Sequence, residues 1–204
     1  MSESAAPGRP RGITPGRRLA WGLVAVFALA LAANWVYPDD HLIQQRVSEV
    51  QGHLALVCLG LTLAARPLER RIPGLLRERR TLGLQAFAFS VMHTWSTIVH
   101  VLGGSLDGMF FLPLDMQLGV MLGVVALMVM VPLALTSNDL AVRLMKGAWK
   151  GLHLSVFFVA ALAVLHTLGT GVHYVLVART PLTISATLVL LGCVLWVWRL
   201  RQSN

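Results

Sequence analysis

MQLGVMLGVVALMVMVPLALTSN, residues 116–138, contains no Asp, Glu, Lys or Arg. A helix of roughly 20 residues crosses a hydrocarbon core of about 30 Å, and this run is long enough. It lacks the alternating pattern of a membrane barrel strand. Outward from it, the same absence of charge recurs over Leu19–Val36, Val50–Ala65, Thr81–Leu106, Gly151–Ala178 and Thr180–Trp198. Val50–Ala65 is the shortest, and must extend into its flanks or lie where the bilayer is thin. Of the 204 residues, 56% are apolar and 13% charged, where a soluble domain has about a quarter charged. The expectation is an all-α polytopic membrane protein, a bundle of six transmembrane helices. Its spans fall near 19–36, 50–65, 81–103, 116–136, 151–178 and 180–198.

Charge placement orients the bundle. Arg9, Arg11, Arg17 and Arg18 precede the first span; Arg66, Arg70, Arg71, Arg77, Arg79 and Arg80 fill the second connection. Arg143, Lys146 and Lys150 occupy the fourth connection, and Arg199 and Arg201 follow the last span. Only Arg46 and Arg179 fall on the other side, with Asp39, Asp40, Glu49, Asp107 and Asp115. The positive-inside rule then puts both termini in the cytoplasm. The pI near 11.0 reports this topology and contact with anionic membrane lipid, and not a nucleic-acid partner.

Residues 1–16, rich in Pro, Gly and Ser, read as a disordered cytoplasmic tail, and 17–204 as a single membrane domain. Arg17-Arg18, an apolar run and Ala30-Leu31-Ala32 could also be read as a cleaved signal peptide. The apolar run is longer than a usual signal core, which favours an uncleaved first helix. Cys58 and Cys193 lie in predicted spans without a partner at metal-ligand spacing, as packing residues do.

The polar content of the spans therefore rests on histidines and hydroxyls, and an ionisable side chain at membrane depth points to function. His53, His93, His100, His153 and His166 lie in the spans, and His41 and His173 in or near the outer loops. Ser90, His93, Thr97 and His100 recur at helical spacing on one face, which Gly83 and Ala86 continue with small side chains. A polar stripe packed against other helices would look the same. In the fifth span His153 and His166 are separated by roughly 20 Å, with rings some 140° apart in a straight helix. They meet different partners, or the helix is locally overwound. Ala160, Ala161 and Ala163 lie between them.

Zinc would want four close ligands, commonly with Cys or carboxylate, and none is at hand. Haem iron needs one or two axial ligands, and an apolar porphyrin suits a helix bundle. Haem b is the economical reading, since no Cys-x-x-Cys-His is present for covalent attachment. Depth along the helices favours His93 with His166 across one haem. His153, only about 5 Å deep, would serve an inner one with water, a non-histidine ligand or nothing opposite.

Arg79-Arg80-Thr81-Leu82-Gly83-Leu84 with Phe87 and Met92-His93 resembles the third helix of the ferric-reductase-like transmembrane family. Thr136-Ser137-Asn138, Trp149-Lys150-Gly151-Leu152-His153 and Leu165-His166 are similar to its fourth loop and fifth helix. The resemblance covers roughly 48–180 and is nearest to haem-binding subunits of bacterial periplasmic methionine sulfoxide reductase systems. It implies His93, His153 and His166 as axial ligands of one or two b haems; His100 and His53, outside that family trio, could substitute. The dihaem oxidases of this family would pair His93 with His153 instead. Their second third-helix histidine is Asp107 here, and the residue after the last family histidine, often aromatic, is Thr167.

The resemblance further implies electrons arriving from a cytoplasmic flavin reductase or the quinone pool and leaving to a periplasmic molybdenum-containing methionine sulfoxide reductase subunit. NADPH oxidases and ferric reductases append a flavin and nicotinamide domain. With Asn204 soon after the last span, this chain is expected to take its electrons from elsewhere, as a subunit and not a stand-alone enzyme. Arg79 and Arg80 are candidates for haem propionates or for docking a flavin donor, which makes FMN a further candidate cofactor. Alternatives are a ferric reductase or other cytochrome-b-like carrier, a histidine-relay transporter or proton channel without haem, and a structural anchor for a partner enzyme.

Overall fold

The computed structural model describes residues 13–36 and 41–178, and every regular element among them is helical. In chain order these are α1 (Pro15–Val36), α2 (His41–Leu68), α3 (Arg79–Ser96), α4 (Leu114–Leu135), α5 (Asp139–Met145), α6 (Gly147–Leu154) and α7 (Val156–Ala178). A widened π-helical turn, Thr97–Val101, prolongs α3, and a 3₁₀ turn, Leu106–Phe111, leads toward α4. Among the described residues, three stretches are long and apolar enough to cross a membrane: Ile43–Leu68, Leu114–Leu135 and Gly147–Thr170. The expected span at 180–198 lies outside the described residues.

Several boundaries differ from those expected. α2 extends into the flanks of Val50–Ala65, one of the two ways open to so short a run, and Arg46 and Glu49 pair within it at 2.8 Å one turn apart. The expected span 151–178 is two helices. At Ser155 the chain tightens, its N–H donating to Leu152 O at 3.0 Å and its hydroxyl reaching the same carbonyl at 2.7 Å. Such a hydroxyl competes with the helix for its own carbonyls. α5 adds a helical turn where only a connection was expected; the Asn138 side chain caps it, accepting from Ala141 N at 2.8 Å.

Two antiparallel pairs, α2 with α3 and α4 with α7, make the framework. Lipid offers helices no hydrophobic drive to associate, so close packing of small residues must do it. Ala55, Ala64, Ala65 and Ala86 accordingly lie buried in the α2–α3 half, around fully buried Cys58, Leu82 and Phe89. α1 joins this pair through an edge-on contact of Phe27 with Phe89, centroids 5.0 Å apart, and through Gln85 Nε2 donating to Ala20 O at 2.8 Å. In the other pair, Gly119 and Gly169 bring main chain against main chain. A Cβ on Gly119 would stand 2.9 Å from Thr170 N, and one on Gly169 2.9 Å from Gly119 Cα. Between the two pairs is a cavity of about 470 Å³, within the usual range for ligand pockets.

Candidate functional site

Two histidines reach the cavity from opposite pairs, His93 from α3 and His166 from α7. Their ring centroids are 6.1 Å apart, with planes at 72°. His93 Nδ1 donates to Ser48 O on α2 at 2.8 Å, and His166 Nδ1 donates to Gly119 O on α4 at 2.8 Å. A carbonyl only accepts, so each neutral ring carries its proton on Nδ1 and leaves the Nε2 lone pair free. The Ser48 hydroxyl lies 3.2 Å from His93 Nδ1 and 2.9 Å from Thr97 Oγ1. Ser48 sits about two turns into α2, and Gly119 little more than one turn into α4. The pair of rings is therefore close to the end of the bundle away from the arginine-rich connection.

The rest of the lining is mostly apolar and adaptable. Met109, Met116, Met121 and Met130 contribute flexible thioethers, while Gly52 and Gly123 stand beside the two imidazoles. Ser90 and Thr94 line the wall too, but their hydroxyls are turned back onto Ala86 O and Ser90 O of their own helix.

Of the other candidates, His53 also lines the cavity. Its Nδ1 bonds Glu49 O at 2.7 Å, and its Nε2 is buried without a partner among the described residues. His100, expected on the face of His93, is not part of the lining. Leu102 N reaches Thr97 O at 2.9 Å, five residues back, and this extra residue in the turn rotates the chain beyond it. Gly83 and Ala86, read as clearing space on the same face, instead face α2: a Cβ on Gly83 would meet Thr62, and Ala86 is in the core. Of the three alanines of the fifth span, only Ala163 reaches the cavity.

His153 stands apart, near the arginine-rich end. It packs edge-on against Trp149 at 4.0 Å, with Arg79 in electrostatic reach, and its Nε2 is buried without a partner among the described residues. Trp149 is itself held by Nε1 donating to Thr136 O at 2.9 Å, which ties α6 to the end of α4. Arg80 makes an exposed 2.8 Å ion pair with Asp139. Among the described residues no group of three or more His, Cys, Asp or Glu could hold a bare metal ion.

Sequence reasoning missed Ser48, Gly52, Gly119 and Gly123. The signal was present as small residues four apart, Ser48 with Gly52 and Gly119 with Gly123. That spacing ordinarily marks close helix packing and says nothing about histidines.

Comparison with known proteins gives a consistent picture. Residues 51–164 match the family described as ferric reductase like transmembrane component. The chain is 35% identical over 190 residues to a Caulobacter vibrioides protein named protein-methionine-sulfoxide reductase heme-binding subunit MsrQ, covering 91% of this chain and 83% of that one. Proteins of the same name from Yersinia pseudotuberculosis and Yersinia pestis are each 34% identical over 161 residues. Those matches cover 74% of this chain and 79% and 78% of theirs, respectively. No solved structure matches.

Proposed function

Because this chain belongs to the ferric reductase like transmembrane family, we propose that it is the haem b subunit of a membrane electron-transfer system. It would carry electrons from a cytoplasmic-side donor, a flavin reductase or quinol, across the inner membrane to a periplasmic methionine sulfoxide reductase. Relatives named as haem-binding subunits of protein-methionine-sulfoxide reductase support the haem and the class of partner. The pattern of basic residues supports six spans with both termini cytoplasmic.

One observation carries the reading, the facing pair His93 and His166. A metal–imidazole bond of about 2 Å leaves each ring centroid roughly 3 Å from the metal, so two axial rings stand roughly 6 Å apart. The 6.1 Å between the two ring centroids fits that requirement. Haem held there by His93 and His166 would supply a one-electron couple, which suits electron transfer.

The chain's own residues would do the rest. His93 and His166 present Nε2, and the carbonyls of Ser48 and Gly119 fix the two rings. The four lining methionines exclude water and pack against apolar surface. Arg79 and Arg80, at the start of α3, would meet propionates or a donor carrying phosphate or FMN. The unpartnered Nε2 of His153, beside Trp149 and Arg79, supports a second, inner haem site.

A reduced-minus-oxidised spectrum of the detergent-purified protein tests this directly. The expected result is a b-type haem spectrum with low-spin features. A protein that takes up no haem would return the chain to the histidine-relay or anchor class.

A further inference from the structure

The two cavity histidines are supported in the same way. His93 Nδ1 donates to the carbonyl of Ser48, and four residues on is Gly52; His166 Nδ1 donates to the carbonyl of Gly119, and four residues on is Gly123. In an α-helix the carbonyl of residue i already accepts from the N–H of residue i+4, and has a second lone pair to offer. The side chain at i+4 leans back over the preceding turn and covers that lone pair. Glycine at i+4 leaves it open.

The space around each glycine agrees. A Cβ on Gly52 would stand 3.2 Å from His93 Nδ1 and 3.3 Å from its Cε1. A Cβ on Gly123 would stand 2.6 Å from His166 Nδ1 and 2.9 Å from its Cε1. Gly119 differs, because its missing Cβ faces the main chain of Thr170 and Gly169, as helix packing alone requires. At Gly52 and Gly123 the missing atom faces an imidazole.

We infer that Gly52 and Gly123 are positioning residues: each uncovers a main-chain carbonyl four residues back, so that both histidines are held with the proton on Nδ1 and Nε2 turned to a haem iron. The inference rests on the haem reading of the cavity, and extends it to two residues that act through the histidines. Outer partners of this kind fix the tautomer and orientation of a metal-binding imidazole, and losing one typically lowers metal affinity by about 10–100-fold.

The test uses the full chain in detergent with Gly123→Ala, Gly52→Ala and, as control, Gly22→Ala. Spin state and g-values of ferric haem, haem affinity and midpoint potential are read on the loaded protein. The protonated ring nitrogens are read by isotope-edited NMR on haem-free protein. Gly123→Ala should shift the haem from low-spin toward high-spin, lower its affinity by about 10–100-fold, and move the His166 proton to Nε2. Gly52→Ala, with the milder clash, should keep its haem with altered g-values and potential, and it decides the matter if Gly123→Ala fails to fold. Gly22→Ala, on α1, where an added Cβ meets nothing within 4 Å, should leave spin state and tautomer as in the parent. Wild-type spin state and tautomer in both Gly52→Ala and Gly123→Ala would overturn the inference, and so would Gly22→Ala behaving like Gly52→Ala. If the parent protein binds no haem, it is the haem reading that fails; the tautomers of the haem-free protein still decide whether the glycines position the rings.

Discussion

The imidazoles of His93 and His166 face one cavity at 6.1 Å and 72°, and each is anchored by Nδ1 to the backbone of a neighbouring helix. His153, on the same stretch of chain as His166, instead packs against Trp149. If the facing pair shares one haem, His93→Ala and His166→Ala each remove the same low-spin component, while His153→Ala spares it. Haem quantitation with low-temperature spectra checks this. Joint loss in His93→Ala and His153→Ala, with His166→Ala intact, would assign the haem to the other pair.

Arg80 and Asp139 form an exposed ion pair, of a kind worth about 0–1 kcal/mol. Arg80→Ala should therefore alter unfolding by less than about 1 kcal/mol and leave haem content unchanged. With Arg79 also replaced, reduction by a cytoplasmic flavin-dependent donor should slow severalfold, as stopped-flow absorbance would show. An unchanged rate would leave these arginines with membrane orientation and anionic lipid as their only roles.

The turn after α2 is pH-sensitive. Leu76 N–H, and then Gly74 N–H, donate to the Glu69 carboxylate and hold its pKa below the usual value. A depressed folded-state pKa means that this contribution is complete above the ordinary value of about 4.3. It is lost as pH falls through the lower, folded-state value. In Glu69→Gln the charge is gone at every pH, so pepsin should nick residues 69–78 at a milder acidity than in the parent, which supplies the check.

Lys146 joins α5 to α6 at φ 49° and ψ −118°, a conformation that glycine adopts readily and an L side chain does not. Such strain costs on the order of 1–3 kcal/mol. Lys146→Gly should raise the thermal midpoint in detergent, and Lys146→Val should lower it.

How much was legible in the chain depended on which physical signal was strong. Freedom from charge located the bulk of α4, because nothing in residues 116–138 competes with lipid. The same signal marked only the middle of α2, and the shortness of Val50–Ala65 pointed to an extension whose length it could not give. Helical spacing put Ser90, His93 and Thr97 on one wall of the cavity, but carried on to His100, which the wide turn at Thr97–Val101 rotates away. The break at Ser155 depends on one hydroxyl choosing its neighbour's carbonyl, a choice that periodicity does not record. The parts played by Ser48, Gly52, Gly119 and Gly123 beside the two rings were unreadable for another reason. Their part lies in an exposed carbonyl and an absent side chain, and neither is a residue type associated with ligand chemistry.

The oxygens that anchor the two rings belong to the backbone, and that has a consequence for genetics. Every residue has that atom, so no substitution takes it away. A scan that trims side chains would pass over Ser48 with its carbonyl intact and would find nothing to trim at Gly52, Gly119 or Gly123. The support for the histidines is silent to subtraction. It becomes visible only when atoms are added, so on this wall of the cavity the damaging substitutions should be the ones that enlarge the smallest residues.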